Sequence, residues 1–192
     1  VARRQSAIPV TNPLHARRYR LMMHFRRAFV VVGLLPLSAI AGFTEIEPDL
    51  FVWRDTCNVH VIRDGDAALM IDFGDGSALE HLDEIGVTTL EWVLFTGHHR
   101  ELLQGVGELD RSVTQVGAPK EEQALFETPT AFRKWHPLLR DKYAVHGSSY
   151  VRPPAESVKV DRWLADGETF EWRGHSIRCL GTPGHSPGGM SY

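Results

Sequence analysis

Three β-rich runs crowd into residues 50–73, LFVWRD, CNVHVIRD and AALMIDF, and helical segments begin to alternate with strands only after them. The Gly65 turn between the second and third runs predicts a hairpin. Ser77-Ala78-Leu79-Glu80 reads as a capping box, and Leu79, Leu82 and Ile85 follow at helical spacing until Gly86 ends the helix. LEWVLFTG (90–97) predicts a buried strand, and a helical stretch follows around Glu101 to Leu109. VTQVGAP (113–119) predicts another strand, after which Pro119 opens a helix over KEEQALFE. Residues 128–160, with Pro129, Pro137, Pro153 and Pro154, read as irregular. GETFEW and HSIRCLG form two last strands about Arg173-Gly174. A meander, then β-α-β alternation, then more strands predicts an α/β sandwich rather than a doubly wound sheet. No glycine fingerprint for a nucleotide or dinucleotide is present.

A chain of 192 residues with 43% apolar and 23% charged residues has the composition of a globular domain. The net charge of −3 conceals an asymmetry. Arg3, Arg4, Arg17, Arg18, Arg20, Arg26 and Arg27 face no acid in residues 1–27, leaving 14 basic residues against all 24 acids in the remainder. An acidic body argues against nucleic acid as the partner, because phosphate binding needs clustered positive charge. After Arg26-Arg27 the stretch AFVVVGLLPLSAIA (28–41) is uncharged. As a helix it would reach about 21 Å, short of a hydrocarbon core of roughly 30 Å. A basic n-region, a short apolar run and Ala39-Ile40-Ala41 before Gly42 therefore predict a cleaved export signal over residues 22–41. The expected location is periplasmic or extracellular, with no membrane span after cleavage. Met22 and Met23 stand where such a signal begins, and residues 1–21 are expected to be a disordered or upstream extension. The domain proper is then 42–192. An oxidising compartment would permit a Cys57–Cys179 bridge, but two buried free thiols on separate strands is the favoured expectation.

Two histidine segments carry the chemistry, each following a strand. The first is Thr96-Gly97-His98-His99-Arg100-Glu101-Leu102 and the second is Thr182-Pro183-Gly184-His185-Ser186-Pro187-Gly188-Gly189. Histidine at a strand end can present a ring nitrogen to a shared cleft, where neutral imidazole is a good zinc ligand and a nearby carboxylate such as Glu101 completes or orients the site. The bland alternatives are specific too. His98-His99 can be a hydrogen-bonded pair, Glu101 a first-turn acid favoured by the helix dipole, and Asp72 a structural acceptor. His60, His81, His136, His146 and His175 read as surface or core histidines, and Phe132, Trp135 and Tyr143 as packing against the sheet.

The second segment resembles the T-P-G-H-[ST]-P-G loop of metallo-β-lactamase-fold hydrolases. Leu69-Met70-Ile71-Asp72-Phe73-Gly74 resembles that family's strand ending in aspartate, and Asp166-Gly167-Glu168-Thr169-Phe170 its turn and strand before the histidine loop. The resemblance spans about residues 46–192 and implies an αββα sandwich, truncated here before its second half closes. It also implies zinc. The family's first motif is T-H-x-H-x-D-H; aligned on Thr96 and Gly105, Gly97 stands at the first histidine, His99 at the second, Glu101 at the aspartate and Leu102 at the third histidine. By resemblance the metal ligands are therefore His99, His185 and Glu101, with His98 as a candidate substitute and Glu101 as the candidate catalytic acid or base. The family's later aspartate and histidine ligands would lie past Tyr192. A full structural zinc site supplies about 10–16 kcal/mol; two imidazoles and solvent would give on the order of 8 kcal/mol, or micromolar binding.

Two readings of function follow. One is an exported, divergent metal-dependent hydrolase acting on a small-molecule ester, amide or related bond. The other is a non-catalytic relative that keeps the fold as a binding or scaffold module, which the loss of ligands at Gly97 and Leu102 favours.

Overall fold

The computed structural model describes residues 42–131 and 154–192, all within the compact unit Ala39–Tyr192. The expected extension and export signal over 1–41 lie outside the described residues, as do Phe132, Trp135, His136, Tyr143 and His146.

Seven strands form one sheet in chain order: β1 (Thr44–Glu47), β2 (Leu50–Arg54), β3 (Asn58–Asp64), β4 (Ala67–Ile71), β5 (Thr89–Leu94), β6 (Gln115–Pro119) and β7 (Arg162–Leu164). The first four make an antiparallel meander, and the β3–β4 turn holds Gly65 at φ 64°, a conformation that glycine adopts without a Cβ penalty. From β4 onward the pairing is parallel. Parallel pairing needs crossovers, which cover the sheet faces. That accounts for β4, where Ala67, Ala68, Leu69 and Met70 are all fully buried.

Alternation along the strands feeds two cores. On one face Ala68 and Met70 join Val93, Val116, Phe95 and Phe126, covered by Leu82 and Ile85 of the β4–β5 crossover. On the other, Ala67 and Leu69 join Leu94 and Leu164 beneath Phe170, Trp172 and Ile177. The last three belong to the hairpin of β8 (Thr169–Trp172) and β9 (His175–Arg178). A second two-stranded piece pairs β10 (Leu180–Gly181) with β11 (Met190–Ser191). Among the described residues, the expected second sheet consists of these two ribbons.

Several local expectations are corrected. Residues Ser77–Ile85 form a 3₁₀ helix, ended by Gly86 at φ 75°. The spacing of Leu79, Leu82 and Ile85 is three, the 3₁₀ period rather than the α period. The capping box does not form: the cap is Gly76, with no side-chain cap bond. Ser77 lies inside the first turn, its hydroxyl accepting a hydrogen bond from Trp53 Nε1 at 3.0 Å and its N–H donating to Asp75 Oδ1 at 2.9 Å. The helix expected over 101–109 is instead two 3₁₀ turns, Arg100–Leu102 and Val106–Glu108. Between them Gly105 packs on the neighbouring backbone so tightly that a Cβ there would lie 2.2 Å from the Asp75 carbonyl oxygen. KEEQALFE becomes a 3₁₀ turn, Lys120–Glu122, and then the five-residue helix α1, Gln123–Glu127. Both cysteines are free. They sit just outside strands, Cys57 half-buried before β3 and Cys179 buried after β9. Burial pushes both thiols up, Cys57 to about 12. Among the described residues no helix is long and apolar enough to cross a membrane.

Candidate functional site

The site forms where β4 and β5 end side by side. Asp72 follows β4 with φ 59°, a left-handed conformation that Asp tolerates better than most residues. There its N–H donates to the Leu94 carbonyl (2.9 Å), while its carboxylate accepts from Thr96 N–H (2.8 Å) and from the Thr96 hydroxyl (2.8 Å). Burial pushes the Asp72 carboxyl up to about 6, against the pull of these Thr96 hydrogen bonds. Asp72 is thus a buttress beneath the first histidine segment.

Past Thr96 the two histidines diverge. His98 turns inward and is 1% exposed. Its backbone N–H donates to Glu122 Oε2 at 2.6 Å, and its Nδ1 lies 2.7 Å from the same oxygen. Its Nε2 is buried with no hydrogen-bond partner among the described residues. His99, with extended backbone, turns to the second segment. Its Nδ1 lies 3.1 Å from His185 Nε2, with ring centroids 4.1 Å apart. Glu101 Oε1 is 3.5 Å from the same Nδ1. Burial, then the neighbouring His98 and His185, lower the His99 pKa to about 4, with Glu101 opposing; the ring is neutral near pH 7.

The second segment is a loop between β10 and β11. It is closed by Thr182 N–H to the Gly189 carbonyl (2.8 Å) and joined to the first by Met190 N–H to the Thr96 carbonyl (2.9 Å). Ser186, next to His185, donates its hydroxyl to Glu122 Oε1. Thr96, Gly97, His99, Glu101, His185 and Met190 are among the residues lining a cleft of about 230 Å³ between the segments.

The structure therefore brings His99 and His185 together, places Glu101 beside His99 and leaves His98 turned to Glu122. Two imidazole nitrogens 3.1 Å apart fit one edge of a zinc tetrahedron, which Zn–N bonds of about 2.05 Å make roughly 3.3 Å long. They fit an edge only: among the described residues no three His, Cys, Asp or Glu side chains converge to hold a metal ion. Gly97 does not have positive φ, and a Cβ there would find its nearest neighbour, Glu122 Oε2, at an ordinary 3.4 Å. Backbone geometry does not impose the missing side chain. Leu102 packs against the first core while its carbonyl accepts from Phe73 N–H (2.8 Å) and Gly74 N–H (3.0 Å).

Glu122 escaped the sequence reading. It lies in Lys120-Glu121-Glu122, a pattern indistinguishable from a solvated helix start, and its partners are 24 and 64 residues away.

No family model matches the chain. Hydroxyacylglutathione hydrolase from Brucella anthropi is 27% identical over 161 residues, covering 81% of this chain and 48% of that protein. The same enzyme from Brucella ovis is 26% identical over 153 residues, covering 77% and 47%. The chain spans about half the length of the curated relatives it matches. Among solved structures, a metallo-β-lactamase from Novosphingobium pentaromativorans superposes with a TM-score of 0.59 at 20% identity, over 78% of this chain and 54% of that one. A Cronobacter sakazakii metallo-β-lactamase with a HARLDQ motif superposes with a TM-score of 0.58 at 18% identity, over 78% and 58%. The subclass B3 metallo-β-lactamase of Bradyrhizobium japonicum gives 0.58 at 20% identity, over 77% and 54%. These likenesses establish the fold.

Proposed function

We propose that this chain, which belongs to the metallo-β-lactamase-fold superfamily, carries the histidine site of a metal-dependent hydrolase acting on an acyl bond. The observation that carries the reading is the 3.1 Å approach of His99 Nδ1 to His185 Nε2, two imidazole nitrogens from segments 86 residues apart. His99 and His185 would hold zinc. Glu101, 3.5 Å from the His99 donor, would bind beside them or carry the proton of the attacking water. Bound zinc supplies polarisation of the acyl oxygen and a lowered water pKa. The remaining ligands would have to come from outside the described residues. The acyl-bond class follows the matched relatives, hydroxyacylglutathione hydrolases, and a hydroxyacylglutathione is the first substrate to try. Export belongs to the same proposal, resting on the uncharged run and Ala39-Ile40-Ala41 over residues 22–41; a secreted form starting at Gly42 would support it, and an uncleaved intracellular one would refute it.

Zinc titration of the full chain beside His99→Ala and His185→Ala tests the site. Micromolar uptake lost in either variant is the expected result. A folded chain that takes up no zinc even at near-millimolar concentration would overturn the reading. That outcome would favour a second one, a non-catalytic binding module, which Gly97, Leu102 and the lack of a third converging ligand among the described residues support.

A further inference from the structure

Glu122 is 1% exposed, and it meets both histidine segments at once. Its two oxygens divide the work. Oε2 accepts from the backbone N–H and Nδ1 of His98, the residue before His99; Oε1 accepts from the hydroxyl of Ser186, the residue after His185. One glycine from each segment lies against the same side chain. A Cβ on Gly97 would stand 3.4 Å from Glu122 Oε2, and a Cβ on Gly188 would stand 2.4 Å from Glu122 Cγ. The carboxylate therefore touches each segment at the immediate chain neighbour of its histidine, and at Gly188 the absence of a side chain is what lets the second segment settle there. A buried carboxylate costs solvation unless donors surround it, and here every donor comes from one segment or the other.

We propose that Glu122 is the positioning residue of the histidine pair: its single carboxylate fixes the two segments relative to each other, so that His99 and His185 meet without Glu122 touching either ring. The proposal rests on reading His99 and His185 as one site and is independent of whether metal binds there. It explains why the two rings lie within hydrogen-bond distance although the other direct links, Met190 N–H to the Thr96 carbonyl and the Tyr192 hydroxyl to the Phe95 carbonyl, are at the base of the loops.

The test uses the full chain and two readouts, imidazole ring signals by ¹⁵N NMR and the visible spectrum of added cobalt(II). Glu122→Met removes all three acceptor contacts at similar volume. Glu122→Gln keeps a carbonyl oxygen for His98 and offers an amide donor to the Ser186 oxygen. The expected result is that Glu122→Met loses the hydrogen-bonded ring signals of both His99 and His185 and weakens cobalt about 10- to 100-fold, while Glu122→Gln recovers most of both. Ser186→Ala, which cuts one link alone, should disturb His185 more than His99. Wild-type ring signals in a folded Glu122→Met protein would overturn the proposal. So would wild-type His185 signals in Ser186→Ala, which decides the question if Glu122→Met does not fold. Ring signals that respond in a chain that takes up no cobalt would uphold the positioning role and sink the metal-site reading. Cobalt binding with unresponsive rings would do the reverse.

Discussion

The two histidine segments differ in what each has kept. The second, 182–189, keeps its whole loop pattern and is held largely by bonds within its own ribbon, Thr182 to Gly189 and Ser191 and Gly184 to Ser186, with Met190 to Thr96 and Ser186 to Glu122 reaching outward. The first, 96–102, lacks two of the side chains its family pattern calls for, yet it is held by residues from other parts of the fold. Asp72 grips Thr96, Glu122 grips His98, and the Leu102 carbonyl receives two backbone N–H groups. The contrast separates two jobs that one motif usually combines. Hydrogen bonds from below shape the segment, and the side chains facing the cleft can change without disturbing it.

If that separation is correct, the lost ligands can be put back. Gly97→His with Leu102→His should strengthen zinc binding by two to three powers of ten, about 3–4 kcal/mol, read by competition against a chromophoric chelator. Unchanged affinity in the folded double variant would mean that the first segment's shape, and not only its side chains, has departed from a metal site.

Next in size is the pH dependence of the Asp72 buttress. Its folded pKa of about 6 lies above the ordinary aspartate value of 3.8, so the folded chain holds this proton more tightly than the unfolded one does. The stabilisation is complete below 3.8 and is lost as pH rises through about 6, on the order of 3 kcal/mol in all. Asp72→Asn, which tolerates the same positive φ, should flatten this slope in denaturant titrations between pH 4 and 7. An equal slope in both proteins would remove Asp72 as its source.

Smaller effects distinguish the glycines. Gly188→Ala forces a Cβ to 2.4 Å from Glu122 Cγ and 2.8 Å from Glu121 Cβ, and should cost about 1–3 kcal/mol. Gly97→Ala meets only ordinary contacts and should change stability by less than about 1 kcal/mol. Urea melts of the pair check both, and equal costs would erase the difference drawn between the segments.

The sequence made the framework legible where a residue's role is decided by its neighbours. The hairpin at Gly65, the stop at Gly86, and the strands before each histidine are read correctly because turn chemistry and β-rich runs are local. β1, with all four residues exposed, and the three-residue β7 give no apolar pattern to find. The capping box failed because Trp53, 24 residues upstream, takes the Ser77 hydroxyl. At the site, His99 and His185 were nameable from their motifs and Glu101 from alignment. Glu122 was not, because a buried acid is recognised by donors that the chain brings from elsewhere.

The strand order has a kinetic consequence. Each of the six strands after β1 pairs with the one just before it in the chain, so most of the sheet can grow by adding neighbours as they emerge. The histidine pair cannot form that way: His99 waits for His185, and Thr96 for Met190, 94 positions further on. Closing so long a loop slows the step that depends on it. Docking of the 182–192 ribbon should therefore follow growth of the sheet, and the contact between the two imidazoles is a signal that the two segments have met.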